Sequence, residues 1–151
     1  MCNPKYYKMK LEQEQLVSQM QIDDYNEIYK LWSNTHGMGL SNADTYENIN
    51  KFLLGNKGFS YVCRYKDKII GTILCGHDMR RGYIYHVTVV EEYRSKGIGQ
   101  MLVEKSMQKL KEQGIHKCHL FVFADNESGN AFWNAIGWTK RKDIFVYSKN
   151  I

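Results

Sequence analysis

Proline is almost missing from this chain: Pro4 is its one copy in 151 residues. No Pro-, Gly- or Ser-rich stretch interrupts the sequence, so no interdomain linker is expected. Cysteine is sparse too. Cys2, Cys63, Cys75 and Cys118 lie too far apart to form a CxxC pair, which removes the usual signature of a zinc site or a disulfide framework. Four free thiols in a reducing compartment are expected. Long apolar runs are also lacking. None approaches the roughly 18 residues that a membrane span needs, and the N-terminus has no signal-peptide apolar region. The expectation is a cytoplasmic protein with no membrane partner and no bound metal.

What is present suits one domain with a single core, spanning 14–151, behind a polar and weakly patterned arm at 1–13. Apolar residues make up 43% and charged residues 25%, an ordinary globular balance. The net charge of +5 suits an anionic ligand. The lysines and arginines are scattered, which reads as a solvated surface. Nucleic-acid binding would rest on this charge and on "KYYKMK" alone. No helix-turn-helix, RNP or zinc pattern accompanies them, so no nucleic-acid partner is expected.

Hydrophobic periodicity orders the rest. "QLVSQMQ" (15–21) alternates as a strand. In "DDYNEIYKLWSN" (23–34), Tyr25, Ile28, Leu31 and Trp32 recur at helical spacing behind leading acids. "HGMGLSNA" is a loop, and Ser41 or Asn42 can cap a second helix that Gly55 ends. Three strands follow at 59–66, 68–78 and 82–90, joined by turns at "KD" and "MRRG". Ile98, Met101, Leu102, Met107 and Leu110 mark a helix that Gly114 stops. "KCHLFVFA" (117–124) reads as a central buried strand, "ESGNAFWNAIG" as a short helix, and "WTKRKDIFVYSK" as a last strand. The order is β-α-α-β-β-β-α-β-α-β, a mixed-sheet α/β (α+β) fold in which an antiparallel meander leads into a βαβ crossover.

The crossover begins at "EEYRSKGIGQML" (91–102). A strand ending at Val90 and a helix starting near Ile98 leave the helix's first N–H groups unpaired and its positive dipole end facing the turn. Gly97 and Gly99 let an anion approach the main chain, while Arg94 and Lys96 add charge. This is a pyrophosphate cradle. It is neither a dinucleotide G-x-G-x-x-G nor a P-loop, because no Gly-Lys-Ser/Thr follows.

"VTVVEEYRSKGIGQMLVEKSMQKLKEQG" resembles motif A of the GNAT superfamily of acyl-coenzyme A N-acyltransferases, and "FVFADNESGNAFWNAIGW" resembles its motif B. The likeness covers roughly residues 15–150 and extends to a subgroup of small uncharacterised bacterial GNAT proteins. It implies a V-shaped splay between the strands at 82–90 and 117–124 and acetyl-coenzyme A as cosubstrate. It places the pyrophosphate on Ser95, Lys96, Gly97, Ile98, Gly99 and Gln100, with Arg94 opening the turn. The pantetheine arm falls beside the main chain of Val87, Thr88 and Val89. Asn126 falls where the family contacts that arm, and the residue types alone also make it a helix N-cap. Trp133, in the motif B helix, is counted with the coenzyme A contacts.

Acyl transfer from a thioester to an amine requires a deprotonated amine, a stabilised carbonyl oxygen and a proton for the leaving sulfur. Positioning supplies much of the rate. Many family members hold a Tyr where this chain has Trp133, and the ribosomal-protein N-terminal acetyltransferases hold a Glu where it has Phe121. By alternation, Tyr83 and Tyr85 share a face of the strand entering the cradle and are the candidate catalytic pair, Tyr85 first. The same alternation turns His86 the opposite way, as a packed strand histidine. Asp125 and the His77–Asp78 pair are weaker candidates, and Glu91 and Glu92 read as solvated acids. Trp32, His36, Arg80 and Arg81 are the candidate acceptor-binding residues, and two arginines would suit a carboxylate-bearing amine. The expected activity is direct acetyl transfer to a primary amine of a small molecule in a ternary complex, by a monomer or homodimer. The alternatives are a protein N-terminal or lysine acetyltransferase and a non-catalytic coenzyme A-binding module.

Overall fold

A turn with two left-handed residues explains the middle of the sheet. Lys66 (φ 49°) and Asp67 (φ 62°) lie between β2 (Tyr61–Tyr65) and β3 (Lys68–His77). This handedness matches the twist of a tight hairpin. The structure, a computed structural model, describes residues 15–151; the arm expected at 1–13 lies outside them. β1 (Gln15–Gln19) pairs antiparallel with β2, β2 with β3, and β3 with β4 (Gly82–Val89). β5 (Cys118–Leu120) joins parallel to β4, giving the order β1-β2-β3-β4-β5.

Helices cover both faces of this sheet. α1 (Tyr25–Ser33) and α2 (Tyr46–Gly55) bury Ile28, Trp32 and Ile49 with Met20, Val62, Ile69 and Leu74. Thr45, not Ser41 or Asn42, caps α2, its hydroxyl accepting from the Asn48 N–H at 3.3 Å. Ser41 instead caps a separate 3-10 turn, Asn42–Asp44, in which the Asp44 carboxylate accepts the Ser41 N–H. Two capping residues in quick succession made one helix start look earlier than it is.

α3 (Ile98–Glu112) lies on the other face. Gly71 points at it while the next residue, Thr72, accepts a hydrogen bond from the Trp32 indole on the α1 side. Ser106 of α3 donates to the Phe59 carbonyl at 2.7 Å, fixing the helix to the segment that enters β2.

Residues through Phe121 form one compact unit and Val122–Ile151 a second. In the second, α4 (Glu127–Ala135) is capped by Asn126, whose side chain accepts the Gly129 N–H at 2.9 Å. Gly137 (φ 90°) ends it, and the Trp138 N–H returns to the Trp133 carbonyl.

Two strand expectations are corrected. The segment read as a buried central strand over 117–124 pairs only at Cys118–Leu120, and Phe121 and Phe123 are exposed. Among the described residues no strand forms after α4, and Phe145 and Tyr147 are largely exposed. Alternation reports fitness for a pleated surface; a strand also requires a paired neighbour, and local pattern does not supply one.

Candidate active site

β4 is positioned by pairing on one side and released on the other. Against β3 it pairs from Gly82↔His77 to Val89↔Gly71, with one register shift between Thr72 and Leu74. Against β5 it pairs only over Gly82–Ile84 with Cys118–Leu120. Among the described residues no strand pairs with the main chain of Val87, Thr88 and Val89 on this side. Such an edge offers donors and acceptors to an extended ligand carrying amides.

At the end of β4 the chain turns through Glu91–Tyr93 and enters α3. Ser95 (φ 60°) and Gly97 (φ 82°) both adopt left-handed backbone. No side chain caps α3 at Gly97. The first intrahelical bond runs from the Met101 N–H to the Gly97 carbonyl, so the N–H groups of Ile98, Gly99 and Gln100 remain open at the positive end of a 15-residue helix. Among the described residues, a Cβ built on Gly97 would meet nothing within 4 Å. The Arg94 Nε donates to the Val89 carbonyl at 2.8 Å, and Lys96 Nζ donates to the Glu92 carbonyl and lies over the Tyr93 ring. Both cations are thus tied to the turn itself. An anionic group of pyrophosphate size fits this donor set.

Upstream on β4, Tyr83 and Tyr85 do share a face. The Tyr85 ring meets Phe52 of α2 edge-on at 6.1 Å, and Tyr83 lies against His119 of β5 at 5.9 Å. Burial pushes the Tyr85 phenol up from its ordinary value, helped by Tyr83 and by Cys118 and Cys75. The shift favours the neutral hydroxyl and makes it a weaker acid than a free tyrosine.

His86 corrects the alternation argument. The β3–β4 register shifts between Thr72 and Leu74, and His86 sits in the shift with φ 51°. This bulge adds a residue and re-aims the side chain. The ring therefore turns to the same side as Tyr85, packs on Trp32 at 4.6 Å and meets the Asp44 carboxylate.

The four acceptor candidates fall into two groups. Trp32 is fully buried and His36 lines a shallow cavity of ≈ 380 Å³ with residues 32–40. Arg80 and Arg81 sit on the exposed β3–β4 turn, where the Arg81 guanidinium donates to the Arg80 carbonyl and Asp78 accepts both backbone N–H groups. These N–H groups hold the Asp78 carboxyl below its ordinary value. Thr72, which contacts Trp32, is six residues from Asp78 along the chain, roughly 20 Å on a strand. Asn126 and Trp133 belong to the second unit, where Asn126 is occupied as the α4 cap and Trp133 packs between Phe132 and Trp138.

Sequence comparison decides the family. The model of the acetyltransferase (GNAT) family matches residues 25–138. The chain belongs to the GNAT acetyltransferases. A fission yeast (Schizosaccharomyces pombe) N-alpha-acetyltransferase 30 is 32% identical over 97 residues, covering 61% of this chain and 65% of that protein. An acetyltransferase of Photorhabdus laumondii is 29% identical, over 85% of this chain and 90% of its own. The GNAT fold is equally clear from solved structures. An aminoglycoside 6'-N-acetyltransferase of Acinetobacter haemolyticus superimposes with a TM-score of 0.75 at 14% identity, covering 90% of this chain and 99% of its own. A predicted acetyltransferase of Clostridium acetobutylicum solved with acetyl-CoA gives 0.71 at 15% identity, covering 89% and 96%. No described helix is long and apolar enough to cross a membrane.

Proposed function

We propose that this GNAT chain moves the acetyl group of acetyl-coenzyme A onto a primary amine of a small molecule, by direct transfer with both substrates bound. The carrying observation is the cradle: open N–H groups of Ile98, Gly99 and Gln100 under Arg94 and Lys96, at the end of a strand whose outer edge is unpaired past Ile84. The turn from Arg94 to Gln100 holds the pyrophosphate, and the Val87–Val89 main chain pairs with the pantetheine amides. Acetyl-coenzyme A supplies the acetyl group as a thioester. Tyr85, kept protonated by burial, donates a proton to the departing sulfur. A cavity near His36 for the acceptor is part of this reading.

The similarity to an N-alpha-acetyltransferase favours a second reading, in which the acceptor is a protein N-terminus. Phe121 and Trp133 carry no proton-transfer group, and this supports the small-molecule reading over it.

The test is calorimetric titration with acetyl-coenzyme A beside desulfo-coenzyme A and ATP. Thiol release is then followed with a panel of small primary amines and with peptides bearing free N-termini. Micromolar acetyl-coenzyme A binding and turnover of a small amine support the proposal. Turnover of peptides alone moves the function to the second reading. Absence of binding by folded protein removes both.

A further inference from the structure

Asp44 and His86 are 42 residues apart in sequence, yet His86 Nε2 lies 2.5 Å from Asp44 Oδ1. Their side chains are 12% and 8% exposed. The pair is built on both sides. Asp44 is the last residue of a capped 3-10 turn; its other carboxylate oxygen accepts the Ser41 N–H at 2.8 Å, and its carbonyl accepts the Tyr25 hydroxyl at 2.8 Å. His86 is placed by the bulge in β4, in a left-handed backbone that a residue with a Cβ seldom adopts. The Thr72 hydroxyl donates to the His86 carbonyl at 3.0 Å, and Trp32 closes over the ring. Thr72 also accepts the Trp32 indole N–H, so the two supports of the ring are themselves joined.

The other ring nitrogen is left free. Among the described residues every buried side-chain nitrogen or oxygen has a hydrogen-bond partner. Among the described residues Nδ1 of His86 takes part in no such bond, and the side chain keeps 12% exposure. One ring nitrogen is fixed on a carboxylate and the other is not so held, and the next residues along the strand are Val87–Val89. The titratable groups near the ring are Asp44 on its Nε2, Tyr25 behind the Asp44 carbonyl, and Tyr85 one residue back along β4.

We propose that His86 is the general base of the acetyl transfer, with Asp44 as its positioning partner; this rests on the acetyltransferase reading above. Asp44 holds the tautomer that carries hydrogen on Nε2 and faces the positive charge that forms on the ring. Nδ1 takes one proton from the acceptor ammonium. The freed nitrogen lone pair attacks the thioester carbon, a C–N bond forms and the C–S bond breaks. The remaining surplus N–H proton ends on the sulfur through Tyr85, and the imidazolium returns its proton to water. The sum is ammonium plus thioester giving amide, free thiol and one proton.

The test combines nitrogen NMR with kinetics. In protein carrying ¹⁵N-histidine, the His86 signals are assigned by their loss in His86→Asn, a residue that tolerates left-handed backbone. The expected resting state carries hydrogen on Nε2 with Nδ1 bare. With the best amine of the panel, kcat/KM of the native chain is expected to rise with pH along a limb that His86→Asn lacks. kcat of that variant is expected to fall about 100-fold or more, with acetyl-coenzyme A affinity unchanged. His86→Gly suits the backbone even better, and added imidazole is expected to restore its turnover. Asp44→Asn is expected to lower kcat as well, with acetyl-coenzyme A affinity unchanged. Hydrogen on Nδ1, or variants that keep rate and limb, overturns the proposal. Loss of thermal stability with an unchanged kcat in the Asp44 variant overturns it too, since that is the mark of a packing role alone. If the native chain neither binds acetyl-coenzyme A nor accepts any amine, the acetyltransferase reading itself fails and the proposal falls with it.

Discussion

A Cβ placed on Gly71 would come within 3.1 Å of Ile98 Cγ2 and 3.2 Å of Leu102 Cδ1. The glycine therefore sets how closely the first turn of α3 sits on β3, and with it where the helix N–H groups point. Gly71→Ala is expected to destabilise the fold by about 1 kcal/mol, since the contact is tight and side chains must give by a few tenths of an ångström. Acetyl-coenzyme A affinity should fall as well. Urea midpoints and calorimetry on the same variant check both; a stability loss with unchanged affinity would separate the helix seat from the cradle.

The cradle itself predicts a charge effect. Gly97→Glu combines a side chain at φ 82° with a carboxylate at an anion site. The backbone strain alone is on the order of 1 kcal/mol, whereas the charge opposes pyrophosphate directly. Coenzyme A binding is expected to disappear while the chain stays folded. Gly97→Ala separates the two effects, being strained but uncharged, and should retain measurable binding.

Tyr85→Phe removes the hydroxyl and keeps the ring against Phe52. If the phenol protonates the departing sulfur, kcat should drop by about 100-fold with coenzyme A affinity unchanged. Because burial pushes this phenol upward, the alkaline limb that it governs should lie above the ordinary tyrosine range. An unchanged rate in the variant would remove Tyr85 from the chemistry.

The buried thiols give a pH dependence whose sign is fixed. Burial pushes Cys63 to about 11 and Cys75 to about 12, from an ordinary 9.0. The folded form thus holds protons that the unfolded form releases. Their contribution to stability is complete below pH 9.0 and is lost as pH rises through 11 to 12. Urea midpoints measured between about pH 8 and about pH 10 should fall more steeply for the native chain than for a Cys63→Ala, Cys75→Ala protein. Neither thiol should react with a disulfide reagent until the chain is unfolded.

What could be read from the sequence was local. Lys66-Asp67 between alternating runs marks its own hairpin, and the Ile98 to Leu110 spacing marks α3. The cradle follows from a strand end, two glycines and a helix start, all within a dozen residues. The misreadings share a different cause. His86 was assigned to the wrong face because alternation assumes an unbroken ladder, and the bulge opposite Ile73 breaks it. Asp44 carries no signal of its own, since a carboxylate in a capped turn looks solvated until a strand 42 residues later meets it. The segments at 121–124 and 144–147 have strand composition without strand neighbours, and composition does not report who is adjacent.

The open edge of β4 beyond Ile84 has a thermodynamic meaning. A sheet whose fourth strand is unpaired along part of one edge is completed by whatever pairs with Val87–Val89, so under the proposed function acetyl-coenzyme A doubles as a missing piece of the fold. At a hundredfold excess over its dissociation constant such a ligand adds about 2.7 kcal/mol to stability, a substantial share of what holds a domain of this size together. The melting temperature of this chain would then track the supply of acetyl-coenzyme A around it, and amide exchange at Val87–Val89 would slow as that supply rises. In a cell depleted of coenzyme A and its thioesters, the protein would become easier to unfold and to degrade before any change in its synthesis.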